Sequence, residues 1–431
     1  MCWALYEACV PLIWRELRMV ADRETCRCLA NAWVLQARAR CRALAAYGHL
    51  RRHVRIVCVE VPPLNDKDRA RTLTRDLAIM LWPVRDRLVS FKLAFRGDVP
   101  HYGTVCVSTA LIDLLFVGAP ALRSLELYRV EVPEPTSRPS GRRRLHAMPF
   151  AAADNLCTLS LCETRSELFD FCAPSLVRLA SLSLTSGAND CLPSTPLLWS
   201  GLVSLSLREH REPSLRAVDE HLNAGGKLAA LRHLATDELL APENVRSYLD
   251  RFGHCSLRSF SAVLDLAASP DTFAQLGQAF PRLQHLALSL VDWQIELAPF
   301  WPAPSADQDV PAWLALLQSF CCDETAGAGL GLCGSVFASL TQLTLDVFIP
   351  PRRSPYDPLV CSGAFHCTII ELARRIPTLE RVAVTTARGG AKMRVIESWS
   401  IERGEDIELR PEPFGGPQDA ETLRRVDVFS F

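Results

Sequence analysis

The sequence predicts an α/β solenoid, with short parallel strands on a concave side and helices on the convex side. Three observations predict it. First, Leu-x-x-Leu-x-Leu recurs: Leu122, Leu125 and Leu127; Leu156, Leu159 and Leu161; Leu179, Leu182 and Leu184; Leu202, Leu205 and Leu207; Leu283, Leu286 and Leu288; Leu340, Leu343 and Leu345. The last two leucines of each copy flank one residue, usually polar, which is the period of a strand with one buried face. Second, a Pro-x-Leu sign recurs, at Pro120, Pro174, Pro281 and Pro377. Proline cannot continue a helix and biases the residue before it towards an extended conformation, so each unit reads as helix, stop, strand. Third, segments between the strands carry apolar residues at helical spacing. A six-residue strand cannot bury a core alone, so the copies must stack and share one.

Bulk properties agree. A chain of 431 residues exceeds the usual single globular core, a limit that stacked repeats escape. Lys+Arg number 47 and Asp+Glu 48, for a net charge of −1, so nothing draws the whole chain onto nucleic acid or an anionic membrane. No apolar run approaches a membrane span; the segment Ala110 to Val117 is short and broken by Asp113. The N-terminus has no basic leader and reads as no signal peptide. The 17 cysteines are an odd number spread along the chain, the pattern of reduced thiols in a cytoplasmic or nuclear protein.

Taken in order, Cys2 to Val10 reads as a helix, Pro11 follows, and then Leu12-Ile13-Trp14-Arg15-Glu16-Leu17. This stretch resembles the C-terminal part of an F-box: a Cys/aromatic helix, a proline, then a Leu/Ile-Trp pair. Tyr47-Gly48-His49-Leu50 and Val54-Arg55-Ile56 resemble the passage from the box into the first strand in fungal F-box proteins with leucine-rich repeats. The resemblance covers the tail of the box, whose Leu-Pro-x-Glu opening would lie before Met1. It implies an α-helical cap over 1–50 and a Skp-type adaptor as partner, touched by Leu5, Tyr6, Pro11, Leu12 and Trp14. It also implies the role of a substrate-recognition subunit in a Skp–cullin ubiquitin ligase.

The repeat region runs from 51 to 385. Thr25 to Ala46 and Asp66 to Trp82 read as helices, Arg51 to Val61 as the first strand, and Leu88, Phe91 and Leu93 as an early copy. Ser108 to Val117 reads as a short helix. Further helices are expected over Ser214 to Gly225, Pro242 to Phe252, Asp309 to Phe320 and Phe365 to Ile376, with one capped by Ser269-Pro270-Asp271. Worn strands are expected at Leu231/Leu234 and Leu257/Phe260. Leading leucines at 122, 156, 179 and 202 lie 34, 23 and 23 residues apart, whereas 283 and 340 lie 57 apart, as if one strand were missing or hidden. Proline-rich loops fall at Val132 to Pro149, which holds Arg142-Arg143-Arg144, and at Ala298 to Pro311 and Pro350 to Pro358. From 386 to 431 the style changes. Met393 to Trp399 and Ile401 to Leu409 alternate around Arg403-Gly404-Glu405, the pattern of a hairpin that covers the last open edge.

No motif carries chemistry. Cys26-x-Cys28, Cys321-Cys322 and Cys361 with His366-Cys367 lack the paired Cys-x-x-Cys spacing of a zinc site. The glycine pairs at Gly225 and Gly389 are not followed by Lys-Ser/Thr, and no Gly-x-Ser-x-Gly elbow exists. No cofactor and no catalysis are expected. The informative surface is the open strand face, where residues between the leucines point outward: Arg123, Glu126, Tyr128, Ser204, Ser206, Arg208, His233, Arg258, Gln284, His285, Gln342 and Asp346. That wall suits a protein substrate. Two alternatives stand beside the ligase reading: a leucine-rich-repeat scaffold outside ubiquitin transfer, and an enzyme with a Cys/His site.

Overall fold

The computed structural model describes residues 9–20, 27–62, 67–95, 105–131, 155–162, 164, 176, 178–184, 199–207, 218, 221–223, 225–240, 245–265, 270–291, 337–349, 363–388, 394–404 and 406–411. The chain forms two compact units, Met1–Lys227 and Leu228–Phe431.

In the first unit the sheet strands are β1 (Glu16–Val20), β2 (Ile56–Val61), β3 (Ser90–Phe95), β5 (Ser124–Tyr128), β7 (Thr158–Cys162), β8 (Ser181–Leu184) and β9 (Ser204–Leu207), side by side in that order and all parallel. A separate two-stranded piece joins β4 (Val105–Cys106) to β6 (Val130–Glu131). The register never slips. Leu17, Val57, Phe91, Leu125, Leu159, Leu182 and Leu205 face one another in one row, and Met19, Val59, Leu93, Leu127, Leu161, Leu184 and Leu207 in the next. Every side chain in both rows is buried. A one-residue slip would turn all of them to the opposite face, so the burial of this face holds the register.

Helices α1 (Arg27–Ala46), α2 (Lys67–Leu81) and the single turn α3 (Thr109–Asp113) connect the early strands. Helix α2 buries Leu73, Leu77, Met80 and Leu81 on its apolar side. It is tied to α1 where Arg38 Nε donates to Asp76 Oδ2 at 2.7 Å, and to the start of α3 where Ser108 N donates to Thr74 Oγ1 at 2.9 Å.

In the second unit β10 (His233–Leu240), β11 (Ser259–Asp265), β12 (His285–Val291), β13 (Gln342–Ile349) and β14 (Arg381–Arg388) run parallel. Strands β15 (Arg394–Arg403) and β16 (Ile407–Pro411) then add antiparallel to the far edge. Leu234, Phe260, Leu286, Leu343, Val382 and Trp399 form the buried row. Helices pack against it. Tyr248 of α4 (Val245–Phe252) lies 5.8 Å from the Phe260 ring, Phe280 beyond α5 (Pro270–Ala279) lies 5.5 Å from it, and Phe365 of α6 (Gly363–Arg375) lies 5.1 Å from Trp399.

Three expectations change. The first strand is Glu16–Val20, inside the stretch read as a purely helical cap; its Glu-Leu-Arg-Met-Val alternation places Leu17 and Met19 in the buried rows. Pro11 lies within a helical turn at 9–13. Across the 57-residue gap β12 and β13 are hydrogen-bonded neighbours in continuous register, so no strand stands between them in the sheet. The expected helix over 309–320, the three proline-rich loops and most of the expected helix over 214–225 lie outside the described residues.

Candidate functional site

Each strand of the first unit turns its alternate residues away from the leucine rows, and their chemistry changes across the sheet. The row between the two buried ones reads Arg18, Cys58, Lys92, Glu126, Ser160, Ser183 and Ser206. At the early strands it is charged. Lys92 Nζ lies 3.4 Å from Glu60 Oε1 and 3.8 Å from Glu126 Oε2, and Arg18 Nε donates to Glu16 Oε1 at 2.6 Å. At the later strands it becomes an array of hydroxyls, with Thr158, Ser181 and Ser204 in the row before and Ser160, Ser183 and Ser206 in this one. All six are half-buried, between the fully buried leucines and open solvent. Tyr128 is half-buried, with the Arg129 guanidinium 5.3 Å from its ring centroid.

The residues expected on one wall separate into levels. Glu126, Tyr128, Ser204 and Ser206 stand on the polar face of the first unit, and Arg208 lies outside the described residues. Arg123, Arg258 and Gln284 are exposed but precede their strands: each carbonyl accepts two backbone N–H groups of the next strand's start, as Arg123 O does from Cys157 and Thr158. They form an edge row, not a face. His233 is exposed, and His285 and Gln342 are half-buried. Asp346 is a correction: it is only 7% exposed and accepts the Ser289 hydroxyl at 3.5 Å, so it belongs to the interior of the second unit. The same is true of its neighbourhood. Ser261, Ala287, Thr344, Ala383 and Ser398 share one register row on the side opposite the leucines, and all are buried. The second unit therefore lacks the open polar strip of the first at this level.

At the N-terminus Leu5 and Tyr6 lie outside the described residues. Pro11 is exposed, Leu12 is 72% and Ile13 66% exposed, and Trp14 is half-buried. Lys92, Glu60 and the hydroxyls of Thr158, Ser160, Ser181 and Ser183 were not singled out from sequence, although each occupies a position equivalent to one that was.

Among the described residues, Cys41 and Cys255 are buried and form no disulfide. Cys255 Sγ lies 3.7 Å from His254 Nε2, but burial pushes its thiol up to about 12, the reverse of activation. Among the described residues no group of three or more His, Cys, Asp or Glu side chains is placed to hold a metal ion. No helix among them is long and apolar enough to cross a membrane.

No protein-family model matches the chain, and no curated protein matches it. Among solved structures, an LRR protein of Leptospira interrogans is similar at 13% identity, over 77% of this chain and 72% of that one, with a TM-score of 0.25.

Proposed function

We propose that the chain is a non-catalytic protein-interaction module, built as a leucine-rich-repeat solenoid, whose polar strand face in the first unit holds a protein partner. The observation that carries this reading is the seven-strand ladder in unbroken register. One side is given wholly to buried apolar residues, and the other presents Lys92, Glu126 and a six-hydroxyl array at half exposure. A surface of short, partly desolvated side chains costs little conformational entropy to cover, which suits a broad partner. The test is affinity capture with the full chain, followed by purified binding measurements on whatever is captured. Lys92→Glu and Glu126→Arg are expected to weaken the captured partner's affinity about tenfold or more, as at a central contact. Capture that neither variant alters removes this face from the interaction.

A second reading is that the partner is a substrate delivered to a Skp–cullin ubiquitin ligase, in the cytoplasm or nucleus. Exposure of the adjacent apolar side chains Leu12 and Ile13, at 72% and 66%, supports it, because such a pair suits contact with an apolar surface. Titration of the full chain with a purified Skp-type adaptor tests it. Binding that is lost in Leu12→Asp supports the ligase role, and no binding at high micromolar concentration ends it.

A further inference from the structure

The start of the first sheet carries a row of cations that the function proposed above does not use. Arg15 O accepts the N–H groups of Arg55 and Ile56, Arg55 O those of Val89 and Ser90, and Val89 O those of Arg123 and Ser124. Arg15, Arg55, Val89 and Arg123 thus follow one another along the edge at strand spacing, about 4.8 Å per step. Behind them the guanidinium groups are gathered together. Arg55 Nη1 donates to Arg52 O and to Val54 O, each at 3.1 Å, and Arg87 Nη1 reaches the same Arg52 O at 3.5 Å. Arg52 Nε lies 3.2 Å from His53 Nε2. Arg15, Arg52, Arg87 and Arg123 are exposed and Arg55 half-buried.

Some cations of this unit have carboxylates beside them: Lys92 has Glu60 and Glu126, Arg38 has Asp76, and Arg18 has Glu16. Among the described residues none of these five arginines has a carboxylate within ion-pair distance. The His53 imidazole agrees: burial holds it below its ordinary value, and Arg52, Arg55, Arg87 and His49 push it further down. Like charges held at one edge without counter-ions are complementary to an anion supplied from outside.

The spread of the row decides its shape. Arg15 and Arg123 stand three strand steps apart, about 14 Å, which is the length of about four residues of an extended peptide, so carboxylates on one face of such a peptide can reach both ends of the row. A lone phosphate would engage only the Arg52, Arg55 and Arg87 knot. A nucleic acid engages more phosphates than these five arginines can neutralise along one short edge, so it favours a longer basic track. We propose that this edge, from Arg15 through Arg55 to Arg123 and backed by Arg52 and Arg87, binds an extended Asp/Glu-rich segment of the protein held on the neighbouring strand face. The inference rests on the protein-binding reading of that face.

Fluorescence anisotropy of labelled octaglutamate with the full chain, at about 0.15 M salt, tests it without needing the partner. Binding is expected, and it weakens about tenfold or more in the double variant Arg15→Ser/Arg123→Ser and in Arg52→Ser/Arg87→Ser. Thermal melts confirm folding, and the first pair, solvent-exposed at strand starts, keeps the test valid if the second unfolds. Three outcomes overturn the proposal: no octaglutamate binding, equal or tighter binding of a single-stranded oligonucleotide of the same length, or full competition by low-millimolar inorganic phosphate. The two readings fail separately. If Glu126→Arg abolishes partner capture while octaglutamate does not bind, only the edge is wrong. If octaglutamate binds and neither Lys92→Glu nor Glu126→Arg alters capture, only the face is.

Discussion

At the scale of single residues, magnitude separates ion pairs that hold the fold from those that decorate it. Asp76 is 9% exposed; it accepts Arg38 Nε at 2.7 Å and has Arg42 Nη2 at 3.6 Å. Removing the carboxylate strands a partly buried guanidinium, so Asp76→Ala is expected to cost about 1–3 kcal/mol. A lower urea midpoint at unchanged slope would show it. Lys92 touches two carboxylates but its side chain is 40% exposed, and pairs of this kind contribute under about 1 kcal/mol. Lys92→Met should therefore leave the melt nearly unchanged while weakening any partner of the face. Gly226 is a third case: a Cβ there would run into the His221 ring, which stacks on the buried Trp199 at 5.7 Å. Gly226→Ala must displace that ring, and a lowered melting temperature is the expected readout.

At the scale of the element, the recurring unit is a turn, a leucine and a strand. The leading leucine closes the turn, since Leu122 N donates to Ala119 O, Leu283 N to Phe280 O and Leu379 N to Ile376 O. In each of these turns the proline falls at the second position, where its fixed φ is already correct. Leu179, Leu202, Leu231 and Leu340 make the same bond without that proline, so its absence does not mark a missing unit. The Pro-x-Leu sign was thus legible in the sequence, but as a helix stop; its main role is to shape the turn. Strand β1 was not legible as a strand. Glu16-Leu17-Arg18-Met19-Val20 alternates correctly, but it follows Leu12-Ile13-Trp14, which reads as helix, and it lacks the leading leucine. The face residues were legible from parity alone, which is why Ser204 and Ser206 stand where expected. Parity does not report depth, so Asp346 was placed outside although it is buried. One pair of variants tests the division of labour in β8: Leu182→Ala, fully buried, should cost about 2–5 kcal/mol by equilibrium unfolding. Ser183→Ala on the opposite side should stay within about 0.5 kcal/mol.

At the scale of the whole molecule, each unit carries its own buried thiol, and together they make stability depend on alkaline pH. Cys41 in the first unit and Cys255 in the second are 1% and 4% exposed. Burial, with Asp76 adding to it at Cys41, pushes both thiols up to about 12 from the ordinary 9.0. In the unfolded chain the same thiols ionise near their ordinary value. Between about 9 and 12 the unfolded state therefore carries fewer protons than the folded one, and stability must fall as pH rises through that window. Below it the contribution is complete. Below pH 9, alkylation should mark the exposed Cys367 in the native protein and leave Cys41 and Cys255 untouched. Along a urea ramp, mass spectrometry of alkylated Cys41 then reports unfolding of the first unit and that of Cys255 the second, each read without a mutation. Labelling of either thiol in native buffer at neutral pH would contradict its burial, and an unfolding midpoint that does not fall between pH 9 and 11 would contradict the raised thiols.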